Sequence, residues 1–240
     1  AFNYVAAAEM VAMLGLIPVW VDVDERTFNM NPWQIESAIS PKTRAIIVVH
    51  LFGQCCDMEK ICSIAEQNHL FVIEDNAQSL GAEVIYSDGS HQKAGTIGQI
   101  GTTSFFPSKP LACFGDGGAL MTSDDWLFTR IKMVANHGQQ VKYQHKIIGV
   151  NSRLDTLQAA VLDAKLPHMD EFIEARRNVA KRYDEAFDND ERWTIPYQAP
   201  YSTHVYHQYT LRVADNRRDD LQQYLKGKGI PSMVYYPIPL

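Results

Sequence analysis

Leu70-Phe71-Val72-Ile73-Glu74-Asp75-Asn76-Ala77-Gln78-Ser79 is the stretch whose reading sets the architecture. Its apolar opening, Leu70 to Ile73, predicts a strand buried on both faces, as in parallel sheets covered by helices on each side. Upstream, Ala45 to His50 is a second continuous apolar strand. Between them Asp57 caps a helix with Met58, Ile61, Ile64 and Ala65 on one face. Further back, Tyr4 to Leu14 reads as a helix stopped by Gly15 and Pro18, and Val19 to Val23 as a strand. Asn31-Pro32 supplies the N-cap and first-turn proline of a short helix through Ile39. Strands alternating with helices of this length give an α/β fold with a mainly parallel sheet flanked by helices.

Downstream, the rhythm fades between Ala82 and Gly98, and Ser87-Asp88-Gly89-Ser90 marks the turn of a hairpin excursion. The runs Thr103 to Phe106 and Ala119 to Thr122 return to the sheet, and Asp124 caps a helix carrying Leu127, Ile131 and Val134 on one side. Asn136 to Val150 is polar and aperiodic, a long loop. Ser152-Arg153-Leu154-Asp155 reads as a capping box opening a helix to Leu166, with Leu157, Val161 and Ala164 facing inward, until Pro167 breaks it. Met169 to Phe187 is a long charged helix with Phe172, Ala175, Val179, Tyr183 and Ala186 on its buried stripe. It reads as the connector to a smaller α+β domain, dividing the chain into residues 1–166 and 167–240. In the second part Tyr206 to Val213 and Ser232 to Tyr236 read as strands, and Asp219 to Lys226 as a helix.

Composition narrows the function classes. With 46% hydrophobic and 21% charged residues over 240 positions the chain is globular in character. A net charge of −6 gives no reason to expect nucleic acid or an anionic membrane as partner. No apolar run reaches membrane-span length, and no signal peptide opens the chain. Cys55, Cys56, Cys62 and Cys113 fit no paired CxxC motif, so reduced thiols in a cytoplasmic protein are expected. His50 with Cys55 and Cys56 lacks a second cluster to complete a tetrahedral set, so no metal site is expected. The chain opens on Ala1 inside a helix already under way and ends on prolines after a strand, the pattern of an internal segment of a longer protein.

Two residues suggest chemistry. Asp75 emerges at the carboxyl end of its strand, the edge where open α/β sheets bind ligands. Lys109 follows Pro107 and precedes Pro110, which biases it away from helical backbone; Phe105, Phe106, Leu111 and Phe114 flank it. Desolvation by such neighbours lowers an ammonium's pKa and makes the amine a nucleophile for a carbonyl. A lysine that bonds an aldehyde and an aspartate that keeps a pyridine nitrogen charged are the pair that pyridoxal phosphate (PLP) requires. Read singly, an acid like Asp75 is more often an N-cap or loop solvator and a lysine like Lys109 more often a surface loop residue; together the pair becomes specific. Gly95-x-x-Gly98-x-x-Gly101 lacks dinucleotide-binding spacing, and Gly115-Asp116-Gly117-Gly118 has no following Lys-Ser/Thr, so neither is a nucleotide loop. The latter run reads as a tight, positive-φ turn beside the lysine.

Glu74-Asp75-Asn76-Ala77-Gln78, Ser104-Phe105-Phe106-Pro107-Ser108-Lys109, Gly115-Asp116-Gly117-Gly118, Asn136-His137-Gly138 and Asn151-Ser152-Arg153-Leu154-Asp155 occur in that order. Together they resemble the sugar aminotransferases of the DegT/DnrJ/EryC1/StrS family, PLP enzymes of fold type I, and the likeness runs nearly end to end. The resemblance implies Lys109 as the PLP-bonding and proton-moving amine, Asp75 as partner of the pyridinium, and Gln78 near the ring's 3-hydroxyl. It implies Ser104 as a phosphate-binding hydroxyl, Tyr4 as a ring-stacking aromatic, and Asn151 as a residue reaching a neighbouring subunit's phosphate in a homodimer with shared sites. Arg153 would bind a carboxylate or phosphate of the sugar nucleotide, and Tyr235 and Tyr236 would line the sugar pocket, although many relatives carry histidine at the Tyr235 position. The implied reaction moves an amino group from glutamate to a nucleotide-linked keto-sugar, with UDP-linked 3-keto sugars or uronates favoured, for surface polysaccharide such as O-antigen. A dTDP-linked 3- or 4-keto sugar is the alternative. Sugar dehydratases of the family replace the lysine with histidine, against which Lys109 speaks; a non-catalytic fragment is the remaining alternative. The family's main phosphate cradle lies upstream of these residues, so activity is expected of the parent protein rather than of this segment alone.

Overall fold

The computed structural model describes residues 1–240. Helix α1 (Ala6–Met13) is followed, after a single turn at Pro32–Gln34, by α2 (Ile35–Ala38). The Asn31 side chain accepts the Trp33 N–H, and Pro32 stands in the first turn, where its missing N–H costs nothing. The chain then alternates through β1 (Ala45–Val49), α3 (Met58–Gln67) and β2 (Phe71–Asp75) before the hairpin of β3 (Glu83–Ile85) and β4 (His91–Lys93). Strands β5 (Ile100–Ser104) and β6 (Gly118–Met121) complete a sheet of order β1-β2-β5-β6. The β1–β2 and β2–β5 pairs are parallel and β5–β6 is antiparallel, the mainly parallel α/β sheet that the sequence predicts.

Helix α3 packs on this sheet because Asp57 accepts the Lys60 N–H at its start and the spacing of Met58, Ile61 and Ala65 puts them on one face. They join Ile46, Val48 and Val72 in a single buried core with Ile35, Val84 and Val205. Each large side chain so buried contributes roughly 1.5–3 kcal/mol. The second half comprises α4 (Asp125–Ala135), a small hairpin of β7 (Gln139–Val141) and β8 (Gln144–His145), α5 (Thr156–Lys165) and the long α6 (Met169–Phe187). The two-residue strands β9 (Trp193–Thr194) and β10 (Arg212–Val213) pair antiparallel, and α7 (Arg218–Gly227) is the last helix. No helix is long and apolar enough to cross a membrane.

Several expectations are corrected. Strand β2 alternates instead of burying both faces: Val72 and Glu74 are buried, Ile73 and Asp75 half-buried, Phe71 exposed. Val19 to Val23 forms no strand, only a bridge from Val23 to Met30, because Asp24 Oδ1 takes the Arg26 and Thr27 N–H groups and turns the chain. Strand β5 ends at Ser104, where the Phe106 N–H is donated to the Ser104 hydroxyl. Part of the stretch from Asn136 to Val150 pairs as β7 and β8. Ser152 to Asp155 is not a capping box: α5 begins after Asp155 without a side-chain cap, and its buried residue is Leu162 while Leu157 and Ala164 are exposed. Pro167 sits in the first turn of a short 3-10 segment that joins α5 to α6.

The stripe expected on α6 is turned around. Met169, Ile173 and Ala180 are the buried positions, whereas Phe172, Val179 and Tyr183 are substantially exposed. Gly81 makes this possible, since a Cβ there would lie 2.5 Å from Ile173 Cδ1. Tyr206 to Val213 is strand only at Arg212–Val213, with Tyr206 at φ +46°, and Ser232 to Tyr236 has no strand partner.

Candidate active site

The carboxyl ends of β2 and β5 place the first two candidates. Asp75 is fixed on both sides: its carbonyl accepts the His50 N–H (3.0 Å), and the next N–H, of Asn76, is donated to the Thr102 carbonyl (2.8 Å). Asp75 Oδ1 accepts the Ala77 N–H at 3.0 Å, and its second carboxylate oxygen makes no hydrogen bond. Ser104 ends β5 with its oxygen occupied by the Phe106 N–H at 3.2 Å and its hydroxyl proton unclaimed.

Lys109 stands on the loop that joins β5 to β6. Phe105 closes that loop at its base, donating N–H to Gly117 O (2.7 Å) and accepting the Cys113 N–H (2.9 Å). Helix α5 holds the far side, with Lys165 Nζ on Ala112 O at 2.7 Å and Gln158 accepting the Phe114 N–H at 2.8 Å. The glycines here act by space, not by turn conformation, which corrects the sequence reading: none has positive φ. A Cβ on Gly118 would stand 2.7 Å from Thr103 O, and one on Gly117 3.0 Å from both Cys113 Sγ and Leu154 Cδ1. Of the four flanking apolar residues, Phe105 and Leu111 are buried, whereas Phe106 and Phe114 are exposed. Even so, desolvation pushes the Lys109 ammonium below the ordinary lysine range, partly opposed by the charge of Asp75. The Lys109 amine feels the charge of Asp75, and the two side chains form no ion pair.

Gln78 links this edge to distant parts of the chain. It is buried, accepts the Phe52 N–H through Oε1 at 2.7 Å and donates Nε2 to the Tyr236 hydroxyl at 3.2 Å. Phe52 adopts φ +59°, a left-handed backbone that costs roughly 1–3 kcal/mol in a non-glycine residue. Its ring stacks on Tyr236 (6.4 Å, 18°) and meets Tyr235 edge-on, while Tyr4 lies 6.5 Å from Tyr236. Burial raises the Tyr236 hydroxyl pKa, with Gln78 opposing and Tyr235 and Asp75 adding to it, so the phenol stays protonated. The structure thus brings Tyr4, Tyr235 and Tyr236 together as an aromatic wall beside Gln78. Asn151 and Arg153 are not brought into this group: both are exposed, and Arg153 Nε is donated to Asn151 Oδ1 at 2.6 Å.

Sequence reasoning missed three residues. Glu74 and His50 are fully buried and 2.9 Å apart. His50 Nδ1 accepts the Cys56 N–H, so its proton lies on Nε2 and is donated to Glu74. Glu74 also accepts the N–H groups of Gly95, Ile97 and Gly98 at 2.6–2.7 Å. Burial alone would raise its pKa, but these donors outweigh it and hold the carboxyl below the glutamate range. The available signal was a charge inside an apolar strand, which a core admits only with partners. The third is His207, whose Nδ1 is buried without a partner. Burial, with the charges of Lys109 and Arg176, pushes its pKa down to about 4.

As a set, these groups suit PLP: a partly desolvated amine without a partner, a strand-end carboxylate with one free oxygen, a hydroxyl with a free proton and a fixed carboxamide. An α/β sheet that presents a lysine and an aspartate at its carboxyl edge is the fold type I aminotransferase architecture, and solved aminotransferases share it over the full chain. The family model of the DegT/DnrJ/EryC1/StrS aminotransferases matches residues 1–240, and the chain belongs to that family. It is 48% identical over 239 residues to the UDP-2-acetamido-2-deoxy-3-oxo-D-glucuronate aminotransferase of Pseudomonas aeruginosa, covering 100% of this chain and 64% of that protein. A DegT DnrJ EryC1 StrS aminotransferase from Brucella abortus superposes with a TM-score of 0.92 at 40% identity, over 100% of this chain and 64% of the other. The Bacillus subtilis protein ntda, solved with bound cofactor PMP, superposes with a TM-score of 0.88 at 31% identity, over 100% of this chain and 54% of the other. The chain therefore spans about 64% of the length of the curated relative named above.

Proposed function

We propose that the protein containing this chain is a PLP-dependent nucleotide-sugar aminotransferase that takes its amino group from glutamate. The observation that carries the reading is Lys109: an amine without a hydrogen-bond partner, lowered in pKa by desolvation and within range of the charge of a strand-end aspartate. PLP supplies the electron sink that lets a proton leave the carbon bearing the nitrogen. Asp75, Gln78, Ser104 and Lys109 would hold it. Lys109, neutral at lower pH than an ordinary lysine, takes up and returns the proton. Asp75 supplies a fixed negative charge that needs no reorganisation. The phenols of Tyr235 and Tyr236 and the ring of Tyr4 wall the side on which a sugar enters.

Within this class the favoured acceptor is a UDP-linked 3-keto sugar or uronate used in surface polysaccharide, supported by the name of the Pseudomonas relative. Residues 1–166 would form the PLP-binding domain and 167–240 the connector helix with part of a smaller domain. The exposed apolar side chains of Ile148, Val150 and Leu157, near Asn151 in sequence, support a homodimer in which Asn151 and Arg153 serve a neighbouring subunit's site. Four unpaired cysteines suit a reducing, cytoplasmic setting. The test is to add PLP and glutamate to the whole protein and follow the cofactor spectrum, then supply UDP- and dTDP-linked keto-sugars. Spectral conversion by glutamate with reversal by a UDP-linked 3-keto sugar is expected. Absence of conversion would refute the reaction, and reversal only by dTDP sugars would refute the favoured acceptor.

A further inference from the structure

Tyr236 and Gln78 stand 158 residues apart and meet through one hydrogen bond, from Gln78 Nε2 to the Tyr236 hydroxyl at 3.2 Å. Phe52 fixes the direction of that bond. A backbone N–H can only donate, so the 2.7 Å contact from the Phe52 N–H settles Oε1 as the receiving atom and turns Nε2 toward the phenol. Phe52 also acts on Tyr236 directly, since its ring stacks on the tyrosine ring at 6.4 Å and 18°. The three residues close a triangle: Phe52 from the turn after β1, Gln78 from the loop after β2, and Tyr236 from the segment after α7. Phe52 and Gln78 are buried, and Tyr236 is half-buried. Phe2 and Tyr235 meet the Tyr236 ring edge-on at 5.5 and 5.4 Å. Aromatic packing therefore holds the tyrosine ring in place, and its hydroxyl is the one partner of the Gln78 Nε2 group.

We propose that Tyr236 is a positioning residue for Gln78: its hydroxyl holds the carboxamide in one orientation, so the segment after α7 takes part in cofactor binding through Gln78. Without the hydroxyl, Phe52 still fixes Oε1, but Nε2 is free to rotate about that single anchor. The proposal rests on the aminotransferase reading only in assigning Gln78 to the cofactor.

The first measurement uses the cofactor-free whole protein, isotopically labelled in its glutamine side-chain amides, and follows hydrogen exchange at Gln78 Nε2 by NMR. Gln54, a second buried glutamine whose Nε2 is donated to Tyr197 O at 3.1 Å, is the internal reference. Tyr236→Phe keeps the stacked ring and removes only the hydroxyl. It should speed exchange at Gln78 about 3- to 10-fold and leave Gln54 unchanged. The second measurement is the PLP dissociation constant of the whole protein in a double-mutant cycle. Tyr236→Phe should weaken PLP binding about 3- to 10-fold, and should have no further effect once Gln78→Met has removed the amide. If Gln78→Met does not fold, the exchange measurement decides alone. Unchanged exchange at Gln78, or an equal rise at Gln54, would overturn the proposal. So would a PLP affinity that Tyr236→Phe leaves unchanged, or lowers equally in the Gln78→Met background. The exchange results need no cofactor and leave the aminotransferase reading intact. A wild-type protein that binds no PLP refutes that reading and leaves the exchange measurement decisive for the Tyr236–Gln78 contact.

Discussion

Glu74 and Asp75 are neighbours on β2, yet the alternation of the strand sends one carboxylate into the core and the other to the site edge. Glu74 is fully buried and accepts hydrogen bonds from His50 and three backbone N–H groups, tying the loop before β5 to the middle of the sheet. Asp75 is half-buried, spends one oxygen on Ala77 and keeps the other free, with Lys109 in range of its charge. A buried charge with every acceptor site filled is structural, whereas a rigidly mounted charge with an unused oxygen is available for chemistry.

That contrast can be broken or sharpened by experiment. Lys109→Ala should lower turnover of the whole protein by at least about 10³-fold and leave its melting temperature unchanged. Glu74→Gln should cost about 3 kcal/mol in urea unfolding, because an amide turned toward backbone donors leaves buried partners unpaired. Asp75→Asn should do the opposite, lowering turnover about 100-fold with a stability change within about 0.5 kcal/mol. If the two carboxylate variants exchanged these effects, the division between core and edge would be wrong.

Titration separates the regions too. His204 is buried, stacks on Tyr206 at 4.0 Å, and is pushed down to about 3 by burial and then by the charge of Arg177. Its folded pKa lies below its ordinary value of 6.5, so the unfolded chain binds the proton first; the stability it contributes is present above pH 6.5 and falls away as pH drops. Unfolding in urea should therefore lose about 2 kcal/mol from this residue between pH 7 and pH 5, a loss that His204→Asn should abolish. Glu74, also lowered, adds a second loss only below its ordinary value of 4.5. The smallest effect is expected at Gly118→Ala, where contact with Thr103 O would loosen β5–β6 pairing by about 1 kcal/mol.

Much of this was legible in the sequence, because the relevant signals are local. Asp57, Asn31 and Asp124 cap helices by bonds made within three residues of themselves, and β1 and β2 follow from continuous apolar runs. The misplaced stripe on α6 has a different cause. That helix carries apolar residues on more than one face, and Ile173 packs against partners far away in sequence, Gly81 among them. The Glu74–His50 pair escaped notice because its two members lie 24 residues apart in sequence, and His207 because only the folded chain shows its Nδ1 to be buried. Tyr236 and Gln78 were named singly, while their hydrogen bond spans the chain.

The central claim is that Lys109 is the amine that bonds PLP across from Asp75. It is tested most directly by incubating the whole protein with PLP, reducing with borohydride and mapping the modified peptide. The account predicts one phosphopyridoxyl group, on Lys109, lost in Lys109→Ala and weakened in Asp75→Asn. A label on another lysine, or none on a folded protein saturated with PLP, would contradict it.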